Sequence, residues 1–227
     1  MGYARKIKII LDLLRGRYGR PPALVKSDPI DEIIRTVLSQ NTSDTNSLGA
    51  FSVLKSNYRS WDSMLKEPNS KIARLIRHAG LGNIKARRLK EILTEIKLRE
   101  GRLSLSSLKD RSIKESLCYL RSLKGVGPKT AACVLLFSFA KPTMPVDTHI
   151  FRVTKRLGLI DKDLDIELAH EALSAMVPKG LIYEFHLGII EHGRKTCRAQ
   201  APKCGSCVLY DLCEFKLKYQ YKKKETG

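Results

Sequence analysis

A chain of 227 residues, 43% of them hydrophobic, is long enough to bury one large core or two small ones. Its 42 Lys and Arg against 23 Asp and Glu give a formal charge of +19, which favours a polyanionic partner because each neutralised phosphate releases a condensed counterion. No apolar run reaches spanning length, and no signal-peptide core or myristoylation pattern follows Met1-Gly2, so no membrane partner and a cytoplasmic location are expected.

Helical periodicity runs through the chain. Ile30, Ile33, Ile34, Val37 and Leu38 recur at i, i+3, i+4, i+7 and i+8, behind Asp28 as N-cap and Pro29 at the first helical position. Leu48, Phe51 and Leu54 predict a second helix. Leu89, Ile92, Leu93 and Ile96 predict a third, whose other face is Lys, Arg and Glu. Ile113, Leu117 and Leu120 mark a fourth, and Ala131, Val134, Leu135 and Ser138 a fifth. Ile150, Val153 and Leu157 give a sixth. Leu168, Ala172 and Met176 predict a seventh, ended by Pro178, and the last covers about Tyr183–Glu191, with His192-Gly193 at its C-terminus. No strand-period alternation is long enough to compete, so the expected fold is all-α. Lys141-Pro142-Thr143-Met144-Pro145 is the clearest break between helices. The basic tail, residues 216–227, is expected to fray.

Four of the six cysteines lie close together, as Cys197-x6-Cys204-x2-Cys207-x5-Cys213. Buried thiolates at this density repel one another unless a cation holds them, so the segment predicts a metal centre in a reducing compartment. Four sulfur ligands suit zinc or an iron–sulfur cluster, and the ligand chemistry alone leaves both open. Cys118 and Cys133 stand apart in apolar helical stretches.

The second signal is Leu120-Arg-Ser-Leu-Lys-Gly125-Val126-Gly127-Pro128-Lys129-Thr130-Ala131-Ala132. Two glycines around one apolar residue allow a tight turn with φ > 0, and Pro128 suits the first turn of the helix that follows. Backbone N–H groups at such a helix start converge on one point and bind phosphate. Gly125, Gly127 and Thr130 are therefore expected to contact DNA. Asp147, in Val146-Asp-Thr-His-Ile-Phe-Arg-Val153, precedes an apolar stripe and reads as an N-cap.

These segments resemble the endonuclease III family of the helix-hairpin-helix DNA glycosylases. The cysteine spacing, with Cys204-Gly-Ser-Cys207 and Asp211-Leu-Cys213-Glu214, is similar to that family's [4Fe–4S] loop, whose first two cysteines bracket a basic stretch, here carrying Arg198 and Lys203. The resemblance implies that Lys129, two residues after the second glycine, is the nucleophile of a bifunctional glycosylase/AP lyase. It implies that Asp147 is the second catalytic residue. A lysine attacks the sugar C1′ as the neutral amine, displaces the base and leaves a Schiff base open to β-elimination. The reaction needs the nucleotide out of the stack. Leu38–Asp44 resembles the family's wedge loop; its usual glutamine aligns with Asn41, while Gln40 stands one place earlier, and both remain candidates. Leu81, between Gly80 and Gly82, is the expected apolar wedge from the other strand-opening loop.

The resemblance spans about Asp28 to Glu214 and implies a six-helix domain, 28–142, and a cluster-bearing domain combining 1–27 with 143–215, with Lys129 and Asp147 across a groove. The expected partner is double-stranded DNA containing a damaged base, such as an oxidised pyrimidine, or an abasic site, met by a monomer. A monofunctional mismatch glycosylase would carry another residue at position 129. A non-catalytic hairpin protein would need neither Lys129 nor Asp147.

Overall fold

The computed structural model describes residues 2–226, and among them no strand is formed. Met1 and Gly227, the outer ends of the first and last expected segments, lie outside the described residues. One compact unit is Val25–Lys141; the other joins the segment before it to everything from Pro142 onward.

Within Val25–Lys141 the chain folds as α2 (Pro29–Leu38), α3 (Asp44–Asn57), α4 (Trp61–Leu65), α5 (Asn69–Leu75), α6 (Gly82–Glu100), α7 (Ile113–Ser122) and α8 (Pro128–Phe139). Asp28 caps α2 as expected, its side chain accepting from the amides of Ile30 and Asp31 at 2.9 and 3.0 Å. This satisfies two of the donors that a helix start leaves open. Ser112 and Glu115 close a reciprocal capping box on α7. The core is built from Ile33, Ile34 and Leu38 of α2, Leu54 of α3, Leu89 and Leu93 of α6, and Val134 and Leu135 of α8, all with no exposed surface. Each such side chain gains about 1.5–3 kcal/mol by leaving water. Helix α8 is buried on nearly every side, from Thr130 through Leu136, as suits the central helix of a bundle.

This unit has seven α-helices, not six. The five-residue α4 and seven-residue α5 are too short for an apolar period to show. Leu48 is a further correction. It is 62% exposed, while Ala50, Phe51 and Leu54 face inward.

The second unit comprises α1 (Tyr3–Tyr18), α9 (Thr148–Arg156), α10 (Ile166–Met176), α11 (Ile182–Lys195) and α12 (Lys218–Thr226). Ile7, Ile10, Leu11 and Leu14 of α1 are buried, and α1 packs on α11. A fork from Arg15 to Glu184, 2.6 Å at both Nε and Nη2, joins the same two helices. The α10 stripe is displaced by one residue from the expectation. Ala169, Leu173 and Val177 are buried, and Leu168 is 52% exposed.

Helix α11 does not stop at His192-Gly193. Both are buried within it, and a Cβ on Gly193 would lie 2.9 Å from Cβ of His149. That glycine permits the close approach of α9 and does not cap a helix end. The tail also departs from expectation, because α12 is helical. Lys218 fixes its start by donating to the carbonyls of Cys213 and Tyr210, at 2.6 and 3.0 Å.

Candidate functional site

The hairpin between α7 and α8 is anchored from within. Leu123 and Val126 are buried, and the Val126 amide donates to the Leu123 carbonyl at 2.9 Å. Gly125 has φ +95°, and a Cβ there would meet Cγ of Arg88 at 2.9 Å, so glycine is required twice over. Gly127 differs. Its φ of −87° is open to any residue, and an added Cβ would touch nothing in the protein. The positive φ of the expected tight turn falls on Gly125. Gly127 instead leaves the start of the twelve-residue α8 bare, with no side chain capping its amides. The partial positive charge of that helix end therefore faces an approaching anion directly.

Lys129 is the second residue of α8 and is half-buried. Its charge is felt by Glu32 of α2, whose carboxyl burial holds above the usual carboxylate range despite a hydrogen bond from Ser27 and the cations Arg35 and Lys129. Thr130 follows in the same turn. Its side chain is 3% exposed, which leaves its backbone amide as the group that could meet a phosphate.

Two further loops belong to the same unit. After α2 the chain turns through Ser39 and Gln40 to Asn41, which is exposed with φ +52°. Gln40 is half-buried, and its side-chain oxygen accepts from Arg88. Leu81, N-cap of α6, also has φ +52° and is 50% exposed. Gly82 passes so near the Ala73 carbonyl that a Cβ would fall 2.8 Å from its oxygen. Beneath both loops lies Lys85, 1% exposed, donating to the Leu38 and Ala79 carbonyls at 2.7 and 2.8 Å.

In the other unit, Asp147 caps α9. One carboxylate oxygen accepts from the Ile150 amide at 2.8 Å, and the residue is half-buried. The segment leading to it is held by histidines to which the sequence assigned no role. Nδ1 of His170 lies 2.9 Å from the Met144 carbonyl, and Nδ1 of His186 lies 3.1 Å from that of Pro145.

Cys197, Cys204, Cys207 and Cys213 line one enclosed pocket. Burial, with added repulsion from the other three sulfurs, pushes the Cys207 thiol up to about 12. Four thiolates are thus costly there without compensating positive charge. Four cysteine sulfurs lining one pocket are the donor set of an iron–sulfur cluster. Surrounding groups orient them. Arg156 Nη1 donates to Cys197 Sγ at 3.3 Å, and Nε2 of His192 lies 3.7 Å from Cys207 Sγ. His192 is itself buried, which lowers its pKa to about 4, and its Nδ1 meets the Tyr18 hydroxyl at 3.1 Å. Arg198 and Lys203 are exposed on the loop between the first two cysteines.

Residues 34–179 match the model of the HhH-GPD superfamily of base-excision DNA repair proteins, and residues 197–213 match the iron–sulfur binding domain of endonuclease III. The chain belongs to that superfamily. It is 36% identical over 190 residues to an endonuclease III of Thermotoga maritima, covering 84% of each chain. An Arabidopsis thaliana relative is 35% identical over 176 residues, 77% of this chain, and this chain spans 60% of that relative's length. A solved structure of a non-covalent endonuclease III–DNA complex matches over the full length of both chains, with a TM-score of 0.80 and 29% identity. A trapped endonuclease III–DNA covalent intermediate also matches both chains in full, at 0.78 and 29%. Within the superfamily the chain is a member of the endonuclease III family, a DNA-binding glycosylase/lyase of base-excision repair with the [4Fe–4S] domain.

The sequence reading missed Lys85, Glu32 and the Arg88–Gln40 contact. Lys85 left a trace, since it stands at i−4 from Leu89 on the apolar stripe of α6, where a charge has no place unless it is satisfied inside.

Proposed function

We propose that the chain excises an oxidised pyrimidine from duplex DNA and cuts the abasic strand through Lys129, acting as a monomer in the compartment that holds the chromosome. One observation carries the reading. Lys129 sits half-buried in the first turn of α8, immediately after a hairpin whose second glycine leaves the helix start open to phosphate. The covalent intermediate trapped for a protein of similar fold supports it.

In this reading the strand lies with a phosphate against the Gly125–Gly127 hairpin and the sugar beside Lys129. The neutral amine attacks C1′, the C1′–N bond breaks, and its electron pair leaves with the base, which takes up a proton. The adduct opens to an iminium. Loss of a C2′ proton then expels the 3′ phosphate, and water releases the lysine. Asp147 supplies negative charge to the sugar as it becomes cationic and assists proton transfer. Asn41, exposed and in the left-handed region, is the wedge in preference to Gln40, which Arg88 holds. Leu81 enters from the second loop. The cluster's contribution is structural: its charge allows four buried thiolates to hold the loop that displays Arg198 and Lys203.

Borohydride trapping on DNA with an abasic site or thymine glycol tests the proposal. Lys129→Gln keeps a long polar side chain without the nucleophile, so trapping and cleavage should fall at least a thousandfold while binding survives. Asp147→Asn should bind but react slowly. Undiminished trapping by Lys129→Gln would assign the nucleophile elsewhere, and base release by a parent that never traps would make the enzyme monofunctional.

A further inference from the structure

A fully buried lysine with no carboxylate beside it is unusual, because desolvating an ammonium is expensive unless its donors are used. Lys85 is 1% exposed, and burial lowers its pKa. Its two hydrogen bonds go to backbone carbonyls from different places in the chain, Leu38 at 2.7 Å and Ala79 at 2.8 Å. Leu38 is the last residue of α2, and Ala79 ends the short 3-10 helix Arg77–Ala79. Both are helix-terminal carbonyls, which lack a partner within their own helix.

The carbonyl of Leu38 is three residues before Asn41, and that of Ala79 is two before Leu81. Leu81 holds φ +52° without being glycine, a conformation that persists only where the surroundings impose it, and Asn41 holds the same φ, which asparagine tolerates. One amino group thus fixes the point from which each of these two turns departs. Lys85 is in turn fixed by its place in α6, where its amide donates to the Leu81 carbonyl at 2.9 Å.

We propose that Lys85 is a positioning residue that ties the Asn41 and Leu81 loops into one rigid element, so that both side chains enter the duplex together. The inference rests on the reading that these two loops open the DNA. Preorganisation is where such a tie acts: ordering two loops separately during strand opening would slow extrusion of the base, a step that single-stranded substrate does not need.

The experiment is single-turnover excision, on duplex and on single-stranded DNA with the same lesion, by the parent, Lys85→Met, Asn41→Ala with Leu81→Ala, and all three changes combined. Methionine keeps the length and removes the donors. Lys85→Met should be at least tenfold slower on duplex and within twofold of the parent on single strands. In the loop-substituted background it should add less than twofold. A fluorescent adenine analogue opposite the lesion should report slower opening by the same factor.

Equal losses on both substrates, or a full tenfold added to the loop substitutions, would overturn the tie. If the loop substitutions themselves spare duplex excision, the duplex-opening reading fails, and that result is distinct from failure of the tie. Native-state hydrogen exchange on the parent decides the matter should Lys85→Met not fold. The hydrogen-bonded amides of Ser39, Gln40 and Gly80 should open with one common free energy, and separate openings of the two loops would refute the proposal.

Discussion

Glu32 carries a cost that shapes how stability depends on pH. Burial raises its carboxyl above the usual range, more than Ser27, Arg35 and Lys129 lower it. In acid both folded and unfolded chains hold the proton, and there is no penalty. As pH rises through the ordinary carboxylate range the unfolded chain ionises first, so stability falls until the raised folded value is passed and is level beyond it. Glu32→Gln should therefore raise the thermal midpoint at pH 7 and leave it nearly unchanged near pH 3, as followed by circular dichroism. An equal shift at both pH values would mean that ionisation of Glu32 is not the source. None of this was legible in the sequence, where Glu32 is an ordinary polar residue in the first turn of a helix. Asp147 was half legible. Its capping role follows from its place before the Ile150 stripe, whereas its catalytic assignment comes from family resemblance. Gln40 and Asn41 are indistinguishable in the sequence, and the contact of Gln40 with Arg88 is the observation on which the preference for Asn41 rests.

Helices with a clear apolar period and a recognisable cap were the readable ones. Helix α2 begins where Asp28 and Pro29 place it, and the stripe of α6 is buried residue for residue. The failures have physical causes. Helix α10 is short and rich in Ala and Leu, so two stripes one residue apart compete and tertiary packing selects. Gly193 fills a helix–helix contact, and that close approach is invisible in one dimension. The hairpin separates its glycines in a way that substitution can measure. Gly125→Ala forces φ +95° on a residue with a Cβ and crowds Arg88, so it should cost about 1–2 kcal/mol of stability. Gly127→Ala meets nothing in the protein and should change stability by no more than about 0.5 kcal/mol. It should still weaken DNA binding by tenfold or more, because the methyl group occupies the approach to α8. Equal affinity of Gly127→Ala and the parent would move the phosphate away from this helix start. The cysteine loop allows a similar test. Cys204→Ala removes a buried cysteine of the iron–sulfur segment and should bleach the charge-transfer band at roughly 400 nm and lower the thermal midpoint. Stoichiometric zinc without iron in the parent would refute the cluster.

For the molecule as a whole, charge and metal do different work. The +19 charge of the chain is far more than fold stability needs, and self-repulsion makes it a burden in the absence of a polyanion. Charge alone did not specify DNA, since a membrane surface or an acidic protein would also suit. Recognition came from two local patterns, the hairpin and the four cysteines, which family matches then confirmed. The exposed cations of the cysteine loop test whether charge acts at discrete phosphates or as a diffuse field. Arg198 and Lys203 flank no acidic partner in the loop sequence, and both side chains are exposed. If each neutralises one phosphate, Arg198→Ala and Lys203→Ala should each lower the slope of log K against log salt by about one unit. The loss should be uniform across DNA sequences and between damaged and undamaged duplexes, because a phosphate contact carries no base information. A diffuse field predicts a different outcome: replacing Arg121, an exposed cation at the end of α7, should then lower the slope as much as replacing Arg198. Titrating the three variants over a fourfold range of salt, with binding followed by fluorescence anisotropy, separates the two. Equal slopes for Arg121→Ala and Arg198→Ala would remove the cysteine loop from the DNA interface.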